Sequence, residues 1–196
     1  MINIYKKIKK KNSIWKFGLL RPYLVDGERI LDFGCGDMEL SRQIASRYKK
    51  TQITGVDVIP LMRKPTNKKL EFVQYDGKKL PFKDEFFDTT IAFYVLHHCD
   101  NPQAIIRECV RVSKGRVIIV ESIPHSKLEI PFMRFFDWFF NILKFDNTPL
   151  PYNFKTIKQW KNVFQKFGLK NTISYHPAGY EDLLPFGKMY ILEFAK

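Results

Sequence analysis

The sequence predicts an α/β fold: a doubly wound, mostly parallel sheet of seven strands that ends in an antiparallel hairpin. Three observations carry this expectation. From Arg29 onward, short apolar runs alternate with segments of helical period, the pattern of parallel strands joined by right-handed crossovers. The first run leads into Asp32-Phe33-Gly34-Cys35-Gly36, a tight glycine turn directly after a strand. Later runs stop at Asp57-Val58 and at Asp76-Gly77, so carboxylates and glycines collect where strands end.

Taken in chain order, residues 1–24 read as a basic helical segment. Lys6, Lys7, Lys9, Lys10 and Lys11 are interleaved there with Ile4, Tyr5, Ile8, Ile14, Trp15 and Phe17. Residues 15–24 are expected to pack over the mouth of a site, with Tyr23 near it. The first strand includes Ile30 and Leu31, and the helix after the glycine turn carries the stripe Leu40, Ile44, Ala45 and Tyr48. The second strand covers 53–58. Residues 60–69, rich in proline and lysine, are too few for a long crossover helix. Strands at 70–75 and 86–94 follow, and then a helix capped by Asn101 and opened by Pro102, with Ile105, Cys109 and Val112 turned inward. The fifth strand covers 115–121. After the insertion 124–152, a stripe of Ile157, Trp160, Phe164 and Phe167 is stopped by Gly168. Strands at 171–175 and 189–195 close the chain, joined by a loop holding Pro177, Gly179, Pro185 and Gly187.

The insertion is the most individual part. From Ile130 to Phe145 the polar residues Arg134, Asp137, Asn141 and Lys144 fall on one narrow stripe of a helix that is otherwise almost wholly apolar and aromatic. Such a helix needs a partner surface. It is expected to enlarge the core or to make a dimer contact.

With 196 residues, 45% of them hydrophobic, the chain is expected to form a single domain spanning 1–196. No apolar run is long enough for a membrane span, and the start lacks a secretory-signal pattern, which points to a cytoplasmic protein. Cys35, Cys99 and Cys109 lack zinc-ligand spacing, so neither a disulfide framework nor a structural metal is expected. The net charge of +13 concentrates at the lysine-rich start, which suits an anionic membrane surface, a nucleic acid, or simply a solvated basic helix.

Gly34 and Gly36 permit backbone angles closed to other residues and let a ligand approach the main chain. A dinucleotide site would want a third glycine where Glu39 stands, which argues against a pyrophosphate ligand. Asp57, at the tip of the second strand, suits a ribose-binding acid. His97 and His98 follow the fourth strand, on the edge where ligands bind in such sheets, and imidazole suits proton removal. For each histidine taken alone, a capping or backbone-bonding role competes with that reading.

Five ordered blocks, namely Ile30-Leu31-Asp32-Phe33-Gly34-Cys35-Gly36, Gly55-Val56-Asp57, Asp76-Gly77 with Leu80-Pro81-Phe82, Phe87-Asp88 through His97-His98, and Gly115-Arg116-Val117-Ile118-Ile119-Val120-Glu121, resemble the class I S-adenosylmethionine-dependent methyltransferases. The likeness is to their small-molecule group, which includes quinone and sterol methyltransferases. It implies a Rossmann-like fold, with S-adenosylmethionine as cofactor and S-adenosylhomocysteine as product. Gly34 and Gly36 would line the methionine part, Asp32 would help hold the ammonium, Asp57 with Val58 the ribose side, and Asp76 with Gly77 the adenine, with Tyr94 close by. The chain departs from the family where Met38 stands in place of a third small residue. His98, and next to it His97, are the candidate catalytic groups. Glu121 is a candidate for orienting an acceptor, and Tyr23, Tyr94, Tyr152 and Asn153 are rim candidates, while His125 and His176 lie in loops. The expected reaction is methyl transfer to a small, largely apolar acceptor. Since additions after the fifth strand form part of the acceptor pocket in the family it resembles, the insertion 124–152 is expected either to be a lid over that acceptor or to keep to the core or dimer role. RNA or protein methylation and a non-catalytic cofactor-binding scaffold are the alternatives.

Overall fold

The computed structural model describes residues 2–144, 151–167, 170–175 and 188–195. Its strands are β1 (Arg29–Phe33), β2 (Gln52–Asp57), β3 (Leu70–Gln74), β4 (Phe87–Phe93), β5 (Ser113–Ile123), β6 (Lys170–Tyr175) and β7 (Lys188–Ala195). They form one sheet in the order β3-β2-β1-β4-β5-β7-β6. The strands β3 to β5 run parallel, and β7 is inserted antiparallel between β5 and β6. Chain direction along the sheet reverses between β1 and β4, and the crevice beyond the carboxyl ends of those two strands is where ligands bind in open α/β sheets.

Both faces are covered, as a parallel sheet requires. Alternate residues of β1 serve opposite cores. Leu31 and Phe33 join Ile105, Ile106, Trp160 and Phe164 on the side of α3 (Pro102–Val112) and α5 (Ile157–Lys166). Ile30 joins Phe17, Leu20 and Ile44 on the side of α1 (Ile2–Leu20) and α2 (Glu39–Arg47). α3 begins where Asn101 accepts from the amide of Ala104 at 3.1 Å. α5 opens with a reciprocal box in which Thr156 and Gln159 cap each other's backbone amides.

Between β2 and β3 the chain crosses without a helix, as the composition of residues 60–69 implies. β5 is longer than expected from its apolar run, because β7 pairs with it from Arg116↔Ala195 to Ile123↔Lys188. Near its start, pairing slips between Phe87 and Thr89, and a Cβ at Gly115 would stand 2.8 Å from the Asp88 carbonyl oxygen, so glycine is required there. Among the described residues no helix is long and apolar enough to cross a membrane. The expected helix stop at Gly168, the loop holding Pro177 to Gly187, His176, and Phe145, the last residue of the expected aromatic stripe, lie outside the described residues; α4 covers Ile130–Lys144.

Candidate active site

The glycine turn is built by backbone contacts with β2. The amides of Gly34 and Cys35 both donate to the Val56 carbonyl, at 2.8 and 3.1 Å, and the Gly36 amide donates to Asp57 Oδ2 at 2.8 Å. Gly34 has φ +66°, and a Cβ on it would come within 2.2 Å of Val95 Cγ2, so the turn packs directly on the segment after β4. At Gly36, with φ +53°, nothing stands within 4 Å of an added Cβ, so its backbone is open to an approaching group.

Met38 keeps the left-handed backbone of a small residue, with φ 61°. Its side chain is fully buried, and its methyl would lie 2.9 Å from a Cβ at Gly55. Gly55 therefore makes the room that a third small residue at position 38 would otherwise leave. The departure from the family pattern is absorbed in the core rather than at the turn's open side.

Asp32, at the end of β1, is 2% exposed and accepts from Ser41 Oγ at 2.5 Å. Burial pushes its carboxyl up to about 6, against the opposing effects of that hydrogen bond and of the Lys16 ammonium. Asp57 accepts from Gly36 through one oxygen and from the Ile59 amide, at 3.0 Å, through the other, so its carboxylate spans the turn and the end of β2. Val58 lies alongside Gly77, its Cγ1 3.5 Å from where a Cβ would be. Asp76 is exposed and caps its own turn, accepting from the Lys78 and Lys79 amides, which hold its carboxyl below the usual carboxylate range. Tyr94 has φ 53° and donates its amide to the Val120 carbonyl at 2.9 Å. The expected cofactor residues thus gather along the carboxyl ends of neighbouring strands.

Beside them lies a second cluster centred on His97. Glu121, at the end of β5, is 1% exposed and accepts from the Val95 amide at 3.1 Å and the Leu96 amide at 2.7 Å. His97 Nδ1 lies 2.6 Å from its other oxygen. The carboxylate is therefore a brace for the turn after β4, not a rim group able to orient an acceptor. The His97 ring stacks on Phe154 with centroids 4.7 Å apart. Burial opposes its charge, but Glu121 and Asp137 outweigh that and push it up to about 10. An imidazole that keeps its protons at neutral pH is a poor proton acceptor, which leaves His98 as the candidate base.

His98 has a side chain 13% exposed, and its Nε2 lies 3.8 Å from Asp137 Oδ1. His97 Nε2 is also 3.8 Å from that oxygen. Asp137 is the member of this cluster that sequence reasoning did not single out. The only trace of it was its place on the polar stripe of an aromatic helix, and that stripe turns out to face inward at this point. Met133 is buried, whereas Phe132, Phe135, Trp138 and Phe139 remain exposed at 56, 56, 44 and 43%. Among the rim candidates, Asn153 locks the turn by donating from its amide nitrogens to the carbonyls of His97, Cys99 and Asp100. Tyr152 lies beneath the Arg134 guanidinium at 5.9 Å, and Tyr23 packs on the α1 side of the core. His125 is half exposed and pairs with Glu129 at 3.4 Å on the turn before α4.

Residues 31–120 match the family described as "Methyltransferase domain". Over 105 residues the chain is 31% identical to a demethylmenaquinone methyltransferase of Thermotoga maritima, a match that covers 51% of this chain and 46% of that protein. The chain spans about half the length of the curated relatives it matches. Among solved structures, the YcgJ protein from Bacillus subtilis has the same fold, with a TM-score of 0.65 at 18% identity, covering 95% of this chain and 98% of that one. A Haemonchus contortus phosphoethanolamine N-methyltransferase 2, solved in complex with S-adenosyl-L-methionine, aligns with a TM-score of 0.69 at 16% identity, covering 88% of this chain and 49% of that one.

Proposed function

We propose that the chain is a class I S-adenosylmethionine-dependent methyltransferase that transfers a methyl group from S-adenosylmethionine to a small, largely apolar or aromatic acceptor, a reading supported by the match of residues 31–120 to the methyltransferase-domain family. The observation that carries this reading is the open glycine turn at Gly36, tied to Asp57 at the topological switch point of the sheet. When bound, the cofactor supplies an electrophilic sulfonium methyl. Gly34 and Gly36 would bring main chain against its amino-acid part, and Asp32 would supply charge opposite its ammonium. Asp57 retains lone pairs for ribose hydroxyls beyond the two amides it holds. Val58 and Gly77 form an apolar wall where the adenine would lie, with Asp76 at its rim and Tyr94 at the turn leading to the acceptor side.

In-line displacement draws much of its acceleration from orientation and water exclusion, to which the Phe154 ring stacked on His97 and the buried Met133 of α4 would contribute. Where the acceptor carries a proton, His98 is placed to take it. The quinone-type acceptor in the name of the Thermotoga relative supports an apolar acceptor here.

Calorimetric titration with S-adenosylmethionine and S-adenosylhomocysteine, alongside Asp57→Ala, tests this. Saturable binding that weakens by at least tenfold in the variant supports the reading and justifies screening quinones, lipids and RNA for methyl acceptance. Absence of binding to either ligand would sink it.

A further inference from the structure

The group formed by His97, His98 and Asp137 is not required by the cofactor cleft, and its geometry is unlike an ordinary ion pair. The three candidate donor atoms lie within 4.8 Å of one another. Asp137 Oδ1 stands 3.8 Å from His97 Nε2 and 3.8 Å from His98 Nε2, too far from either for a hydrogen bond and equally far from both. Two imidazole nitrogens and a carboxylate oxygen bound to one tetrahedral zinc-like ion, at about 2.0–2.2 Å each, are separated from one another by roughly 3.4 Å. Side-chain movements that close the 3.8 Å gaps to Asp137 and bring the two imidazole nitrogens together from within 4.8 Å would reach that arrangement.

The surroundings fit an ion as well. Glu121 Oε2 lies 2.6 Å from His97 Nδ1, so this hydrogen bond would keep the proton on Nδ1 while an arriving metal ion displaces the one on Nε2, the carboxylate–histidine–metal relation common in metal sites. The Phe154 ring fixes the same imidazole in plane from one side. A divalent ion would also balance the buried carboxylate of Glu121 and the partly buried one of Asp137, which lie on either side of the His97 ring. We propose that His97, His98 and Asp137 form a binding site for a divalent transition-metal ion, with Glu121 orienting His97 from behind.

Nitrogen and carboxylate donors in this number favour zinc, iron, cobalt or nickel over magnesium or calcium. Three protein ligands leave a position open, and an acceptor oxygen bound there would be held as its anion, the part otherwise assigned to the His98 imidazole. The site stands on its own geometry, whether or not methyl transfer is the reaction. Spacing in the sequence hides it, because Asp137 arrives from the insertion, far along the chain from the two histidines.

The test is titration of the untagged, chelator-treated chain with cobalt(II), followed by visible absorption, and with zinc(II) by competition. The wild type is compared with His98→Ala, Asp137→Asn and Glu121→Gln, and circular dichroism and S-adenosylhomocysteine binding report on folding and on the cofactor cleft. The expected result is saturation at one ion per chain with d–d bands. Those bands should be lost in His98→Ala and Asp137→Asn, and the affinity should be about 10- to 100-fold weaker in Glu121→Gln. No cobalt spectrum and no zinc uptake by the wild type would overturn the proposal. So would uptake that survives at wild-type affinity in both ligand variants. Loss of S-adenosylhomocysteine binding with metal uptake intact would count against the methyltransferase reading alone.

Discussion

A carboxylate as buried as Asp32 is a liability unless something charged is meant to lie against it. Its ionised form is disfavoured by burial and only partly restored by the Ser41 hydroxyl and the Lys16 ammonium, so its folded value is about 6, against 3.8 for an unperturbed aspartate. The sign follows from the raised value. Below about pH 4 the group is neutral folded and unfolded, and it costs nothing. As pH rises through 6, the folded state must ionise a group that the unfolded chain ionises more easily, and a penalty of about 3 kcal/mol builds up. Asp32→Asn keeps the shape and the acceptor for Ser41 and removes that penalty. The variant should melt at a higher temperature than the wild type at pH 7 and lose the advantage near pH 4, a difference that calorimetric melts at the two pH values would show. If Asp32 also faces the cofactor ammonium, the same variant binds S-adenosylmethionine more weakly, and wild-type affinity falls as pH drops through 6. A melting temperature at pH 7 unchanged or lowered by the substitution would mean the aspartate is better solvated than its 2% exposure implies.

The turn between β1 and α2 shows how far an element can be read from its residues. Gly34, Gly36 and the helix that follows were legible, because positive backbone angles and close approach leave few alternatives to glycine. The contents of the turn were not, since Met38 tolerates its left-handed backbone only because Gly55, on the neighbouring strand, vacates the space its side chain enters. No pattern within one segment carries such a cross-strand exchange. The two glycines also differ in a way the motif conceals. Gly34→Ala must displace Val95, whose methyl would sit 2.2 Å from the new Cβ, and must also hold an unfavourable φ. A loss of about 2–4 kcal/mol is expected, together with displaced Val95 and Leu96 amides on Glu121. Gly36→Ala meets no atom within 4 Å and bears only the backbone cost, about 1 kcal/mol. Urea unfolding of the two variants separates these cases, and equal destabilisation would show that Val95 yields freely. The same logic explains Asp137: the stripe of α4 was visible, but its meeting with His97 and His98 depends on the turn after β4, far from it in the chain.

Across the whole molecule, strand order was legible in part. Alternating strands and helices imply a parallel sheet, and the acids at strand ends imply a ligand edge, but the insertion of β7 between β5 and β6 depends on pairing between distant segments that no local period reports. That order sets a gradient of protection against exchange with solvent. β1 is hydrogen-bonded by β2 on one side and β4 on the other, and β4 by β1 and β5, with Leu31 and Ile91 fully buried. Their amides should exchange only when the whole domain unfolds. Among the described residues β3 has a partner on one side alone, so its outward-facing amides, those of Phe72 and Gln74, should exchange by local opening, many times faster. Among the described residues β6 is the other edge, paired with β7. Hydrogen exchange followed by mass spectrometry or NMR would order the strands directly: slowest in β1 and β4, intermediate in β5 and β7, fastest in β3 and β6. Protection in β3 equal to that in β1 would mean its free edge is covered, and would point to a second chain continuing the sheet beyond Gln74.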